Sequence, residues 1–243
     1  MKPQVIKYHK HLLDSALWLV CIASVAALFL AHEDPFARDA LCSHTKIFPV
    51  IENAKAWNKV FYDLAVGALV SVLFYFLLVR LPEYQKRQRI KKSLATQYNN
   101  FREDCIVNML MVADGTFEWG FHRELVDQAK FKEYFKQPVG QGQDRWDAFL
   151  NKLDDYNLHE LLMNLEIFRN EISFALNNVD IDDEKSFVFL KRLSNALFSM
   201  RDATLGYEEI KPLSRLLWTV FSGWDVVSGY SERDRISDAI AAI

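Results

Sequence analysis

The sequence predicts an all-α protein, a two-helix transmembrane hairpin followed by a cytoplasmic helical bundle. Three observations lead to this fold class. Two long apolar runs lie near the N-terminus, a basic segment follows the second run, and the later residues repeat apolar side chains at spacings of three and four. The average composition, 51% hydrophobic with a net charge of -3, does not reveal this organisation by itself.

The two apolar runs carry no charge between Ser15 and Ala31 or between Leu64 and Val79. A helix needs roughly 20 apolar residues to cross a bilayer. With their flanks, the runs predict spans over 12–31 and 60–81, joined by an outer loop at 32–59. A cleaved signal peptide is the alternative for the first run, but Phe29 stands where a signal peptidase needs a small residue. Two long core helices of a soluble domain are the alternative for both runs.

Basic residues predict the orientation of the spans. Six of them follow the second run and form what we call the basic collar: Arg80, Lys86, Arg87, Arg89, Lys91 and Lys92. Positive residues close to spans stay in the cytoplasm. We therefore expect a multi-pass protein of the inner membrane with both termini cytoplasmic. The simplest role of the collar is to set the orientation of the spans, and binding of anionic lipid headgroups is the alternative.

The chain divides into three predicted regions. Residues 1–82 form the transmembrane region, 83–113 the basic collar and a connecting helix, and 114–243 a cytoplasmic helical domain. Small residues recur four apart within the spans, and helices in lipid associate through such close-packing stripes. The sequence therefore predicts a packing seam, within one chain or between chains, along Ala23, Ala27, Ala31, Gly67 and Ser71.

The connecting helix carries an apolar stripe at spacings of four and three: Leu94, Tyr98, Phe101, Cys105, Asn108 or Met109, and Val112. A coiled-coil seam would have this spacing, and so would a helix that packs back onto its own domain. Downstream, five or six helices are expected, with 137–143 as a loop because it contains Pro138, Gly140 and Gly142. We find no alternating strand pattern.

The motifs of common enzymes are missing. His159-Glu160 begins like a zinc-protease helix, but Met163 stands where the second histidine is required. Gly140-Gln141-Gly142 lacks the lysine of a phosphate loop, and the acidic clusters lack calcium-loop spacing. We therefore expect no enzyme activity, cofactor or metal, and no nucleic-acid partner. Trp119 and Trp224 lie in glycine-flanked segments and are candidates for an exposed interaction surface.

The run Val66–Val79, the exit Arg80-Leu81-Pro82 and the basic residues ending at Lys92 precede a helical domain. This layout resembles small two-span bacterial inner-membrane proteins, including membrane effectors of phage-defence systems. The resemblance covers the architecture of about the first 110 residues and carries over no functional residue. It implies a cytoplasmic domain that senses or assembles, and spans that perturb the membrane in antiviral defence.

The expected function is therefore that of a non-enzymatic membrane protein. Its cytoplasmic domain would sense a small ligand or protein partner, and a homo-oligomer in contact with membrane lipids would act as a pore-type effector. A passive membrane-anchored scaffold that recruits a cytoplasmic partner is the first alternative. An enzyme with a helical active site is the second, and several titratable side chains converging in one deep pocket would favour it.

Overall fold

The computed structural model describes residues 15–28, 55–140, 142–225, 229–230 and 233–243. Ala31 and most of the predicted outer loop lie outside the described residues. The chain divides into two compact units, Met1–Lys86 and Arg87–Ile243. Helices dominate the described residues, and strands are few and short, which confirms the all-α class.

The first unit contains helix α1, Ser15–Leu28, and helix α2, Lys55–Tyr75. A π-helical turn, Phe76–Arg80, follows α2. Among the described residues, one helix is long and apolar enough to cross a membrane, and its apolar part has almost no buried side chain. The described part of α1 is shorter than a span. The two-span hairpin therefore stays a prediction.

The sequence suggests a kink at Pro82, but the backbone stays helical through this residue. The irregularity lies just before it, in the π-helical turn, where the Leu81 N–H donates to the Phe76 carbonyl five residues back. Pro82 has no N–H to give to the Leu78 carbonyl, so one regular helical hydrogen bond is lost in any case. A wider turn at that point accommodates the loss.

The second unit begins within helix α3, Leu81–Asp114. Seven further helices follow: α4 Phe121–Glu124, α5 Gln128–Phe135, α6 Arg145–Lys152, α7 Asp155–Asn178, α8 Glu184–Ser199, α9 Tyr207–Ser222 and α10 Arg235–Ala241. Two antiparallel ladders connect some of them: β1 Pro138–Gly140 with β2 Gln143–Asp144, and β3 Trp224–Asp225 with β4 Gly229–Tyr230. The predicted loop at 137–143 is thus a short hairpin.

Helix caps set most of these boundaries. The sequence predicts helix starts at Asp144 and at Asp182 or Asp183, and Asp144 and Asp183 accept backbone N–H bonds at the starts of α6 and α8. A helix is also predicted to begin at Glu124, but Asp127 caps α5, which begins at Gln128. A capping box of Ser231 with Asp234 is predicted before the last helix; Ser231 lies outside the described residues, and Asp234 itself is the N-cap of α10. Pro212 is predicted in the first turn of its helix but lies in the interior of α9.

The apolar stripe of α3 forms the centre of the domain core. Its residues are buried, with Met109 and not Asn108 as the buried member of that pair, and Phe101 stacks on Phe168 of α7 with ring centroids 4.8 Å apart. Of the two interpretations of this stripe, the structure shows the helix that packs onto its own domain. Cys105 is fully enclosed, and burial, followed by the nearby Asp104 charge, raises the pKa of its thiol.

Candidate functional site

The structure separates the basic collar into two groups. Arg87 donates through Nε to the oxygen of Ile243, and its Nη1 lies 3.0 Å from Oδ2 of Asp182. Lys91 donates through Nζ to the carbonyl oxygen of Ala241. Carbonyls at the end of a helix carry partial negative charge, which these cations offset. Arg87 and Lys91 therefore hold α10 against α3, a role that the sequence analysis missed.

The other collar residues do not share this role. Lys86, Arg89 and Lys92 are exposed, and the Arg80 guanidinium lies 5.9 Å from the centre of the Tyr75 ring. Their predicted part in topology or headgroup binding stays a prediction. Lys92 is of particular interest because its side chain lines a cleft.

A cleft of about 390 Å³ lies between α3 and α10. Its size is at the lower end of the range for small-molecule sites. Its lining combines polar side chains with a larger share of apolar atoms, and both of its charged residues are lysines. The lining comprises Gln88, Lys91, Lys92, Ala95, Tyr98 and Asn99 from α3, with Ser237, Ile240 and Ala241 from α10.

A hydrogen-bonded carboxylate fixes α10 to α3 beside the cleft. The Tyr98 hydroxyl donates to Asp234 at 2.9 Å, and Nη1 of Arg102 lies 3.0 Å from the same carboxylate. Asp234 also accepts the Ile236 and Ser237 N–H groups at the start of α10. Burial, reinforced by the Asp234 charge, raises the pKa of Tyr98. Helix α10, which forms one wall of the cleft, is therefore anchored to α3 at both of its ends.

A second polar cluster holds the C-terminal end of α3. The Tyr134 hydroxyl donates to Asp114 at 2.8 Å, and Nε of Arg145 donates to the same carboxylate at 3.2 Å. Lys152 donates to the Ala113 carbonyl at 2.6 Å. Partial burial, with the hydrogen bond to Asp114, raises the pKa of Tyr134 to about 12. This cluster is structural, since every group in it has a partner within the domain.

The Tyr134 cluster predicts how stability depends on pH. A tyrosine in an unfolded chain has a pKa of about 10. Since the folded value is higher, this contribution to stability is complete below about pH 10 and is lost as the pH rises through about 12. We expect the urea midpoint to fall over this interval, and to fall less steeply in Tyr134→Phe. Tyr156→Phe, at an exposed tyrosine, is the control and should retain the wild-type slope. Equal slopes for all three chains would contradict the prediction.

The two candidate tryptophans differ in their surroundings. Trp119 is 81% exposed, and its ring lies 5.4 Å from that of His122, while Trp224 is half-buried in β3. His122 is buried, and within the described residues its Nδ1 has no hydrogen-bond partner. Its Nε2 lies 3.9 Å from Glu103. The interaction surface at the two tryptophans stays a prediction, and Trp119 has the exposure that it requires.

The small residues predicted to pack lie mostly on exposed faces. Ala23, Gly67 and Ser71 are exposed, and Ala27 is half-buried. Nothing lies within 4 Å of the position that a Cβ at Gly67 would occupy. The Ser71 hydroxyl donates to the Gly67 carbonyl, so it is satisfied within its own helix. No described residue packs against Gly67. The role of the predicted seam between copies of the chain stays a prediction.

Within the described residues, no group of three histidine, cysteine, aspartate or glutamate side chains is placed to hold a metal ion. Comparisons with family models, with curated proteins and with solved structures give no match. The resemblance to membrane effectors of phage-defence systems therefore stays an expectation drawn from architecture alone.

Proposed function

We propose that this chain is a two-span protein of the bacterial inner membrane with both termini in the cytoplasm. Its helical domain binds a ligand or partner, and a homo-oligomer then changes the permeability of the membrane, as a defence effector would. No step in this function is catalytic.

One observation carries the proposal: helical backbone continues without a break from Lys55 to Asp114. Its first part is apolar and almost wholly unburied, and its later part supplies the centre of the domain core. Rigid secondary elements carry coupling between distant sites. Under this proposal, a change in the packing around α3 is passed to the apolar segment along the same continuous helical backbone.

The exposed apolar surface of α2 and the π-helical turn supports a lipid environment. Leu64, Leu73, Phe74 and Leu78 are each more than half exposed. Soluble monomers rarely leave contiguous apolar patches of more than a few hundred Å² in water. Hydrocarbon covers such a surface without cost, and the charge-free run of 64–79 has the composition that this requires.

An oligomer is needed because two helices from one chain cannot line a pore. The exposed Gly67–Ser71 face of α2 supports close approach of a second helix, since small residues let backbones meet in lipid. Filling this face in one chain should therefore harm assembly and leave the chain's own fold intact.

This gives a direct test in cells. We expect production of the wild-type chain under its inducing condition to depolarise the membrane, as reported by a potential-sensitive dye. Gly67→Leu should abolish the signal, because a Cβ there meets nothing within 4 Å among the described residues, while the side chain blocks the proposed seam. Ala27→Leu tests the facing stripe on α1. Val66→Leu, at an exposed position next to the seam, is the matched control and should retain depolarisation.

Two outcomes would contradict this function. An unchanged potential under every inducing condition would remove the effector, and equal loss in Val66→Leu would remove the seam. The exposed Trp119 ring favours one alternative, a scaffold that docks a partner through an aromatic anchor. Replacing both spans with an unrelated two-span anchor separates the two functions, because a scaffold keeps working and an effector does not.

A further inference from the structure

We propose that the cleft between α3 and α10 binds a phosphate-bearing anion, with Lys92 and Lys91 as its charged contacts. The site would give the proposed sensing domain a ligand class, and in that sense it rests on the proposed function. The binding itself does not depend on any effect on the membrane.

The donors that line the cleft come from one face of α3. Gln88, Lys92 and Asn99 lie within three turns of each other at helical spacings that place them on one stripe. The hydroxyls of Tyr98 and Ser237 also line the cleft, but both already donate to Asp234. The donors open to a ligand are therefore on α3. A tetrahedral anion with several acceptor oxygens satisfies more than one of them at once, and hydrogen bonds between ions are stronger than those between neutral groups.

The balance of charge in the cleft favours an anion. Lys91 and Lys92 are the charged lining residues, and no carboxylate lines the cleft. Asp234, beside the cleft, already accepts from Tyr98, Arg102 and the N–H groups of α10. A concave site with charge of one sign concentrates ions of the opposite sign.

The end of α10 opposes an anion, because its terminal carbonyls carry partial negative charge. Lys91 and Arg87 bind the Ala241 and Ile243 oxygens and offset that charge. Lys92 does not take part in these bonds. It lines the cleft, and within the described residues its ammonium has no hydrogen bond or ion pair. A ligand therefore gains an uncommitted cation together with a second one close by.

Two sources can supply the same phosphate chemistry. One is a soluble phosphorylated metabolite or nucleotide, and the other is the headgroup of an anionic lipid. Gln88 to Lys92 follow the charge-free run by only about ten residues, and this short distance along the sequence favours a lipid headgroup as one source. The experiment needs one arm for each source.

The first arm titrates the full chain in detergent with pyrophosphate at constant ionic strength, using isothermal calorimetry. The second compares nanodiscs of phosphatidylcholine alone with nanodiscs of phosphatidylcholine and phosphatidylglycerol in equal amounts, using hydrogen exchange of the 88–99 and 235–241 peptides. Lys92→Gln removes the uncommitted cation from the cleft. Lys86→Gln is the matched control, since it removes an equally exposed collar charge that does not line the cleft.

We expect saturable pyrophosphate binding that Lys92→Gln weakens about tenfold, with little change in Lys86→Gln. Protection that depends on Lys92 and appears only in discs with phosphatidylglycerol would support the site with a lipid as its source. Absence of binding in both arms would overturn the proposal, and so would equal weakening by the two variants. Depolarisation is measured separately. If the wild-type chain binds pyrophosphate through Lys92 but does not depolarise the membrane, the proposed function fails and the binding site is retained.

Discussion

Arginine in place of Leu73 is expected to shift the apparent free energy of membrane insertion of the 60–81 segment by about 2.5–3.5 kcal/mol toward the non-inserted form. Leu73 lies within the charge-free run and is 55% exposed in the structure. Under the proposed topology, a charge at this position enters hydrocarbon. The shift is measured by an insertion assay with glycosylation sites on both sides of the segment, and by the carbonate-resistant fraction of the full chain.

The matched control is Met111→Arg. Met111 is 49% exposed, close to the exposure of Leu73, but it lies near the end of α3 within the charged domain. An exposed surface substitution in water usually changes stability by no more than about 0.5 kcal/mol. The two substitutions differ chiefly in the solvent that they are expected to meet. If Leu73→Arg is tolerated as well as Met111→Arg, the exposed face of α2 lies in water and the membrane assignment fails.

Asp234→Asn is expected to lower the free energy of unfolding by about 3 kcal/mol, because it removes the charge partner of a buried arginine. The Arg102 side chain is 8% exposed, and its Nε is buried without a partner within the described residues. Asparagine keeps the helix cap, since it is as good an N-cap residue as aspartate. The loss therefore reports the buried pair and its hydrogen bond with Tyr98. Urea unfolding of the full chain in detergent, followed by tryptophan fluorescence, measures it.

Asp183→Asn provides the comparison for this variant. Asp183 also caps a helix, but it is exposed and its described partners are the backbone N–H and hydroxyl of Ser186. These bonds lower the pKa of Asp183, and asparagine can replace most of them. We therefore expect a much smaller change than in Asp234→Asn. Equal losses in the two variants would show that capping, and not the buried ion pair, accounts for the effect at Asp234.

Local patterns in the sequence predicted much of the helical framework. The stripe of α3 from Leu94 to Val112 follows the period of a helix, and the caps at Asp144 and Asp183 combine a short acidic side chain with a following apolar repeat. Such signals lie within a few residues of the feature that they specify. The short hairpin at 138–144 was missed because its residues are typical of an irregular loop as well.

The candidate site was harder to predict because its partners are distant in sequence. The collar was assigned to topology or headgroups, which is how basic residues after an apolar run are usually interpreted. Nothing near Arg87 or Lys91 indicates that they bind α10. One signal was available: Arg102 directly follows Phe101 and lies one turn after Tyr98, so an arginine sits inside a core stripe and must have a buried partner. Which acid it pairs with is not encoded locally.

The bond between Lys91 and Ala241 joins residues 150 positions apart. During synthesis, α3 leaves the ribosome long before α10 exists, so its apolar side stays uncovered while most of the domain is being made. Contacts of such long range form late and slowly. Closure of this domain therefore waits for α10, and the interval before it is the period in which chaperones have the most to protect.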